Sequence, residues 1–595
     1  MAIVRLSAWQ RRLTARFSDR AAQLVGGLGR LGVDETTLLL GFALAVGSAV
    51  GLAVIVFYRL IDAAQATSLA AAGRLTGLGS LSIVLVVLAG LAVTRLIVVH
   101  GTGDSDGENI PSVMRAVAKE GGVIHTLPVA VKTAGTAVVI GASGSVGAEG
   151  PVAVAGSALG SKFGRLFRSG PERLRLLVAC GAAAGISAAF NAPIAGVFFS
   201  LEKVVGSFAV SAFPPILVSS VVAAAIARAA FGDTPVIAIP REYGVGSASE
   251  LVFYALLGVV TGVVAVLYTR SVYRAQDMRA RIPSILWQLV LAGLVVGGLN
   301  VVFKASLWGR GHEAFSLQTV TDGTAFLLVG LAFAKMVGTA ATVAATRVGG
   351  LFTPALFIGA TLAGGLALAA GQLLPGFTIA PEAFALVGMA GLVAGSMHAP
   401  LTAIMMVFEM TSDYALILPL MLCGAIAYIT ARRIHPESIY SEWLARRGES
   451  IHAGRDAQVL EGLPVRDAFD SNPHVIGENA TVQQILQAIR SSRQTEFPVL
   501  DGDLRLVGMI TYDDLRAVLS DPGTFAPLVV AHDLASSQFE RVTPADSLST
   551  ALKRLALRGS HYVPVVDERD PDRLLGLIGR QEILTAYDRE LLAQR

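Results

Sequence analysis

The chain is short of charge, nearly without cysteine and poor in histidine, and each scarcity removes a class of protein. Asp, Glu, Lys and Arg make up 15% of its 595 residues, against about 25% in soluble globular proteins. A fully water-exposed chain is therefore excluded. The two cysteines, Cys180 and Cys423, sit in apolar runs. They read as packed small hydrophobes, which excludes a disulfide framework or a cysteine metal site. An intramembrane zinc protease needs two histidines at i and i+4 flanking a glutamate. The His312-Glu313 pair is followed by Ser316 where the second histidine should stand, so no enzymatic activity is expected. The net charge of +3 gives no field of the kind that gathers nucleic acid.

What is present is apolar. Hydrophobic residues reach 53% and the mean hydropathy is +0.62. Uncharged runs cover residues 37–58, 75–94, 204–227, 251–269, 283–303, 348–381, 383–408 and 414–431. About 20 apolar residues cross a bilayer, so the chain is read as a polytopic α-helical membrane protein. Several runs are too long or too broken by Gly and Pro for plain spanning helices, which predicts tilted and partial ones. Arg5, Arg11, Arg12, Arg16 and Arg20 precede the first run, and Arg432, Arg433, Arg446 and Arg447 follow the last. The positive-inside rule then puts both membrane ends in the cytoplasm, with the protein in the plasma (inner) membrane. Residues 1–35 read as a cytoplasmic amphipathic lead-in, and no removable signal peptide is expected. The membrane domain is assigned to 36–447.

An internal repeat lies within it. Gly181-Ala-Ala-Ala-Gly185, Asn191-Ala192-Pro193 and Glu202 recur as Gly388-Met-Ala-Gly391, His398-Ala399-Pro400 and Glu409, each shifted by 207 residues (388 − 181, 400 − 193, 409 − 202). Gly150-Pro151 is echoed by Thr353-Pro354, a shift of 203 from Pro151 to Pro354. Two related halves with glycine-broken helix starts predict an inverted repeat whose site lies between them at the bilayer midplane.

Gly147-Ala148-Glu149-Gly150-Pro151 carries one carboxylate inside an apolar stretch. An ionisable group there is costly and marks a functional site. A helix starting at membrane depth points free N–H groups and its positive dipole end inward, which favours an anion. Glu149 is placed to compete for that position as a gate; a carboxylate that merely caps its own helix is the plainer alternative. Gly350-Leu351-Phe352-Thr353-Pro354 repeats the pattern with no carboxylate, leaving amides for an anion. Asn109-Ile110-Pro111 opens a further short helix, and Tyr440 offers a phenolic donor after the last span. Neutral donors hold an anion loosely enough to release it, as conduction requires.

Beyond Arg447 the composition turns polar. A linker is assigned to 448–459, and two soluble units to 460–521 and 527–590. Strands at 497–500 and 506–510 recur at 563–566 and 574–578. Helical stretches flank each pair, which predicts two packed β-α-β-β-α units.

Taken together these motifs resemble the CLC family of chloride channels and proton-coupled chloride transporters. Its G-[K/R]-E-G-P motif appears as residues 147–151 with Ala148 in place of the basic residue, and its G-x-F-x-P motif is intact at 350–354. The resemblance implies a CLC-type inverted repeat, a homodimer with one pathway per subunit, and Glu149 as gating glutamate. Gly350, the amides of Leu351 and Phe352, and the Tyr440 hydroxyl would line the anion site. The tail resembles a tandem pair of CBS domains. Their nucleotide pattern is kept at 508–514, where Thr511 would meet phosphate or ribose and Asp514 the ribose hydroxyls. At 576–582 it has decayed. At most one adenine-nucleotide site is expected, with a purely structural pair as the alternative; transport itself needs no cofactor.

Besides Ala148, two residues depart from the family pattern. Glu108 stands beside Asn109 where the family has its anion-coordinating serine, so it acts as a second, inner gate or swings away. Lys203 follows Glu202 where exchangers carry an inner proton-relaying glutamate. A lysine that stays charged cannot relay as a carboxylate does; an ion pair with Glu202 or Glu108 is the alternative. The expected function is chloride transport gated by Glu149, passive or loosely coupled, with strict H+/Cl− antiport second. A CBS-linked cation channel would require hard carboxylate ligands in its pore, and a single glutamate among backbone donors does not supply them.

Overall fold

The computed structural model describes residues 35–103, 109–232, 237, 250–303, 320, 322–373, 380–449, 460–492, 494–511, 514–515, 529–558 and 560–593. Nearly all of the expected lead-in and most of the linker lie outside the described residues, as does Glu108. The chain forms two compact units, Met1–Ser450 and Ile451–Arg595.

The first unit is all helix. In order it contains α1 (Glu35–Arg74), α2 (Leu81–Thr102), α3 (Ile110–Lys119), α4 (Thr126–Gly141), α5 (Glu149–Leu166), α6 (Pro171–Phe190), α7 (Pro193–Phe199), α8 (Phe213–Phe231), α9 (Glu250–Ala280), α10 (Ile285–Val302), α11 (Ala325–Thr346), α12 (Phe352–Leu373), α13 (Pro381–Met397), α14 (Pro400–Thr411), α15 (Ile417–Ile434) and α16 (Ser441–Ala445). Among the described residues nine helices are long and apolar enough to span a membrane. Phe326 is 91% exposed, which suits a lipid-facing side chain. Charged residues keep several helices, among them α4, α6 and α11, out of the long uncharged runs. Lys132 interrupts α4, Lys335 interrupts α11, and Glu172, Arg173 and Arg175 crowd the start of α6.

The repeat is visible in the packing. The long run at 383–408 breaks where His398 turns left-handed at φ 53°, and Pro400 opens α14. Asn191 does the same at φ 55° before Pro193 opens α7. Proline suits the first helical position because its missing N–H would be unpaired there anyway. Each break is sealed by the other half. The Glu202 carboxylate accepts from the amides of Leu401 (3.1 Å) and Thr402 (2.9 Å) and from the Thr402 hydroxyl (2.5 Å). Glu409 accepts from the amides of Ile194 (2.9 Å) and Ala195 (2.7 Å). Each acid therefore satisfies orphan donors and complements the dipole at a helix start in the opposite half.

Glycine sets how close the inner helices come. α5 meets α6 where a Cβ on Gly181 would run into the carbonyl of Gly156, and α12 meets α13 at Gly359 and Gly388 in the same way. Small residues at such crossings let backbones touch, which is how helices associate when lipid offers no hydrophobic contrast.

The second unit holds the two expected α/β copies. β2 (Glu496–Leu500) and β3 (Leu506–Thr511) pair antiparallel, with the short β1 (Ile476–Gly477) parallel to β2. β4 (Tyr562–Val566) and β5 (Leu574–Gly579) repeat the hairpin, and Val542 bridges Val565 in parallel as β1 does β2. Helices α17 (Val482–Ser491), α18 (Ala531–Leu534), α19 (Leu548–Arg558) and α20 (Arg580–Ala593) complete it. The copies are joined by the buried Glu496 carboxylate, which accepts from the amides of His561 (2.9 Å) and Tyr562 (3.1 Å).

Gly181→Ala is expected to force α5 and α6 apart and to cost about 1–3 kcal/mol, the usual penalty of overpacking. A lowered thermal unfolding midpoint in detergent checks this; an unchanged midpoint would contradict the close contact.

Candidate functional site

The two glycine-started helices converge. Gly147 donates its N–H to the Gly350 carbonyl at 2.9 Å and Gly350 returns one to Gly147 at 2.8 Å. A two-bond backbone bridge thus ties the start of α5 to the start of α12. A Cβ on either glycine would meet the Glu149 carboxylate where it now sits, and one on Gly350 would also meet the Gly150 backbone nitrogen. That carboxylate is buried at 1% exposure. Its Oε1 accepts the Phe352 amide at 2.7 Å and its Oε2 the Thr353 hydroxyl at 2.6 Å. Glu149 therefore reaches out of its own helix, and its carboxyl group occupies the N-terminus of the other. Any free anion at that spot would compete for the same donors.

Other side chains hold these donors in place. From α9, the Tyr268 hydroxyl donates to the Leu351 carbonyl at 3.0 Å and the Tyr273 hydroxyl to the Ile439 carbonyl at 2.7 Å. One helix thereby orients both the Leu351–Phe352 amides and the segment carrying Tyr440. The Phe190 and Phe352 rings lie 5.6 Å apart, and Ser145 is bonded to Thr339 and Thr342 of α11. Tyr440 is 3% exposed, and its hydroxyl has no hydrogen-bond partner among the described residues. A buried phenol in that condition calls for an acceptor.

A cavity of about 390 Å³ adjoins this point. Gly350, Leu351 and Tyr440 line it together with Asn109, Lys132, Arg446 and Arg447.

The structure thus brings Glu149, Gly350, Phe352, Leu351 and Tyr440 into one neighbourhood, with Asn109 along the cavity. The Asn109 side chain accepts from the Ser112 amide at 3.0 Å, and its own amide donates to the Ser112 hydroxyl at 2.9 Å. This reciprocal box occupies donors at the start of α3. Glu202 lies elsewhere, closing the start of α14. Lys203 is half-buried in the π-helical turn Ser200–Val205, beside Glu202 and Arg432. In the second unit, Asp514 Oδ2 accepts from the amide and the hydroxyl of Thr511, both at 2.7 Å. Glu582 caps the Gly579 amide at 3.0 Å in the other copy, so the carboxylate cap outlives the motif.

Sequence reasoning missed Thr353, Tyr268, Tyr273 and Glu409. Glu409 had a usable signal in the 207-residue shift from Glu202, and Thr353 in its place within the 350–354 motif. The tyrosines lie in a helix with no marked spacing, and their partners are backbone carbonyls far along the chain.

The sequence profile described as voltage gated chloride channel matches residues 85–432, and the CBS domain profile matches 465–521 and 530–589. The chain belongs to the CLC family. A ClcB-like chloride channel protein of Ralstonia nicotianae is 39% identical over 349 residues, covering 56% of this chain and 78% of that one. The H(+)/Cl(-) exchange transporter ClcA of Yersinia pestis bv. Antiqua is 30% identical over 424 residues, covering 69% and 88%. Among solved structures, a slow cyanobacterial Cl−/H+ antiporter superposes with a TM-score of 0.63 at 25% identity, covering 70% of this chain and 98% of that one. This CLC protein is thus a multi-pass membrane protein of an anion-transporting family, with a CBS pair at its C-terminal end.

Tyr268→Phe removes the hydrogen bond that fixes the Leu351 carbonyl, a contact of about 1 kcal/mol. Chloride affinity is expected to fall by roughly fivefold in titration calorimetry. Wild-type affinity would contradict the positioning role.

Proposed function

We propose that this CLC protein moves chloride by passive or loosely coupled flux through a pathway that Glu149 gates. The observation that carries the reading is the Glu149 carboxylate bound to Phe352 N–H and Thr353 O–H at the helix start. Chloride takes that place once the acid leaves, held by the Leu351 and Phe352 amides and the Tyr440 hydroxyl. Protonation removes the acid's charge and weakens its hold on the donors, so flux rises as pH falls.

Lys203 supports loose coupling. It occupies the relay position with a cation, and the neighbouring Glu202 carboxylate is committed to three donors at the start of α14. Strict antiport is the second reading, favoured by the exchange activity in the names of two similar proteins. The chain is taken as a homodimer with one pathway per subunit, in the plasma (inner) membrane with both termini cytoplasmic. The first CBS copy is read as a site for an adenine nucleotide at Thr511 and Asp514.

Paired chloride and proton fluxes in liposomes test the gate and the coupling. Wild type is expected to pass chloride faster at pH 5 than at pH 7, with little uphill proton movement. Glu149→Gln is expected to be fast and pH-independent, and Lys203→Glu to gain proton coupling. Chloride-driven proton pumping by wild type would reject loose coupling, and retained pH dependence in Glu149→Gln would reject the gate. For the CBS pair, ATP is expected to raise the unfolding midpoint of the full chain and not that of Asp514→Ala; no shift in wild type would remove the nucleotide site.

A further inference from the structure

Buried threonines inside the helices of the membrane unit give their hydroxyls to their own backbone. Thr342, Thr346 and Thr361 each donate to the carbonyl four residues earlier, at 2.8, 2.7 and 2.8 Å. A hydroxyl engaged in that way offers no proton to a ligand. Thr353 is placed differently. It is the second residue of α12, and the residue four before it, Gly349, lies outside the helix with φ 106°. With no helical carbonyl behind it, its hydroxyl turns to the helix start and donates to Glu149 Oε2 at 2.6 Å. Thr353 is 1% exposed, and the ring of the adjacent Phe352 packs against that of Phe190 at 5.6 Å.

Two kinds of donor therefore meet at one position. The Phe352 amide, 2.7 Å from the carboxylate, is fixed by the backbone. The Thr353 hydroxyl rotates to suit its acceptor and approaches it more closely than an amide does. Such a donor matters most to a small ion. An anion of high charge density gives up more hydration on entry and needs short, strong donors in return; a large, diffuse one depends less on each of them. The number and strength of the ligands set ionic selectivity, and each bond counts for more away from water. Thr402 makes the same kind of contact to Glu202 at the start of α14. There the acid stays as a cap, whereas the acid over Thr353 is the one that gives way to the ion.

We propose that the Thr353 hydroxyl is a specificity-determining donor of the anion site, selecting small, strongly hydrated halides such as chloride over large, weakly hydrated anions such as thiocyanate. The proposal rests on the reading of Glu149 as a gate that yields its place to the ion. Thr353 then passes its hydrogen bond from carboxylate to halide, and the donors at the position stay the same.

The test is anion flux by the full-length protein in liposomes, with initial rates for chloride and for thiocyanate measured on each protein well below saturation. Glu149→Ala is the starting point, because without the acid any effect of residue 353 falls on the ion and not on the gate. To it are added Thr353→Val, which keeps the shape and removes the donor, and Thr353→Ser, which keeps the donor and removes a methyl group. A ratio taken within one protein does not depend on how much of it is folded. The chloride-to-thiocyanate ratio is expected to fall on the order of tenfold with valine, the weight of one hydrogen bond to a charged group. With serine it is expected to stay near its starting value. Where valine leaves too little flux to divide, the two dissociation constants from titration calorimetry give the same ratio. An unchanged ratio with valine would overturn the proposal, as would a serine variant shifted as far as the valine one. A Glu149→Ala protein that passes neither ion would bring down the gated-transport reading and the proposal with it, an outcome distinct from the other two.

Discussion

The acid of Glu149 and the first amide of α12 form the contact on which the membrane unit turns. Taking a carboxylate out of water costs several kcal/mol even after relaxation. A charge-assisted hydrogen bond contributes about 1.5–3 kcal/mol, and a partly buried helix end up to about 2 kcal/mol. With the Phe352 amide, the Thr353 hydroxyl and the helix end together, gain and cost come within a few kcal/mol of each other. An occupant so nearly balanced can be exchanged. A chloride ion arriving there meets the same donors, with the Tyr440 phenol added.

That balance requires the donors to stay fixed while their occupant changes. The Gly147–Gly350 bridge locks the two helix starts together, and Tyr268 and Tyr273 anchor the surrounding carbonyls from one helix. Further out, Glu202 and Glu409 fasten each half to the broken helix of the other. The same device appears three times in the unit, a carboxylate at a helix start belonging to the opposite half. Among these three acids Glu149 is the fully buried one, while Glu202 and Glu409 are partly exposed. That difference separates a structural cap from a gate.

Much of this was legible before any coordinates. The 207-residue shift gave two halves, and the lone acid among glycines gave the site, because charge is rare in apolar sequence and glycine is needed where backbones meet. The hairpins of the second unit followed from Val/Ile/Leu runs repeated at fixed spacing. What the sequence hid has physical reasons too. Lys132 and Lys335 are buried within α4 and α11, and a charge inside an apolar helix keeps it from forming a long uncharged run. Tyr268 donates to a carbonyl 83 residues away, a pairing that no local pattern encodes. Asn109 was read as opening a short helix, and it does so as the cap residue, its side chain completing a capping box with Ser112. Glu202, beside the relay position of Lys203, has its oxygens engaged at a helix start in the other half, which no local pattern shows.

The central claim is that one position at the start of α12 serves in turn for the Glu149 carboxylate and for a halide. Crystals of Glu149→Ala grown in bromide, measured at the bromine absorption edge, test it most directly. The account predicts an anomalous peak within hydrogen-bonding distance of the Phe352 amide and the Tyr440 hydroxyl. A site without bromide there, or bromide bound only elsewhere in the cavity, would contradict it.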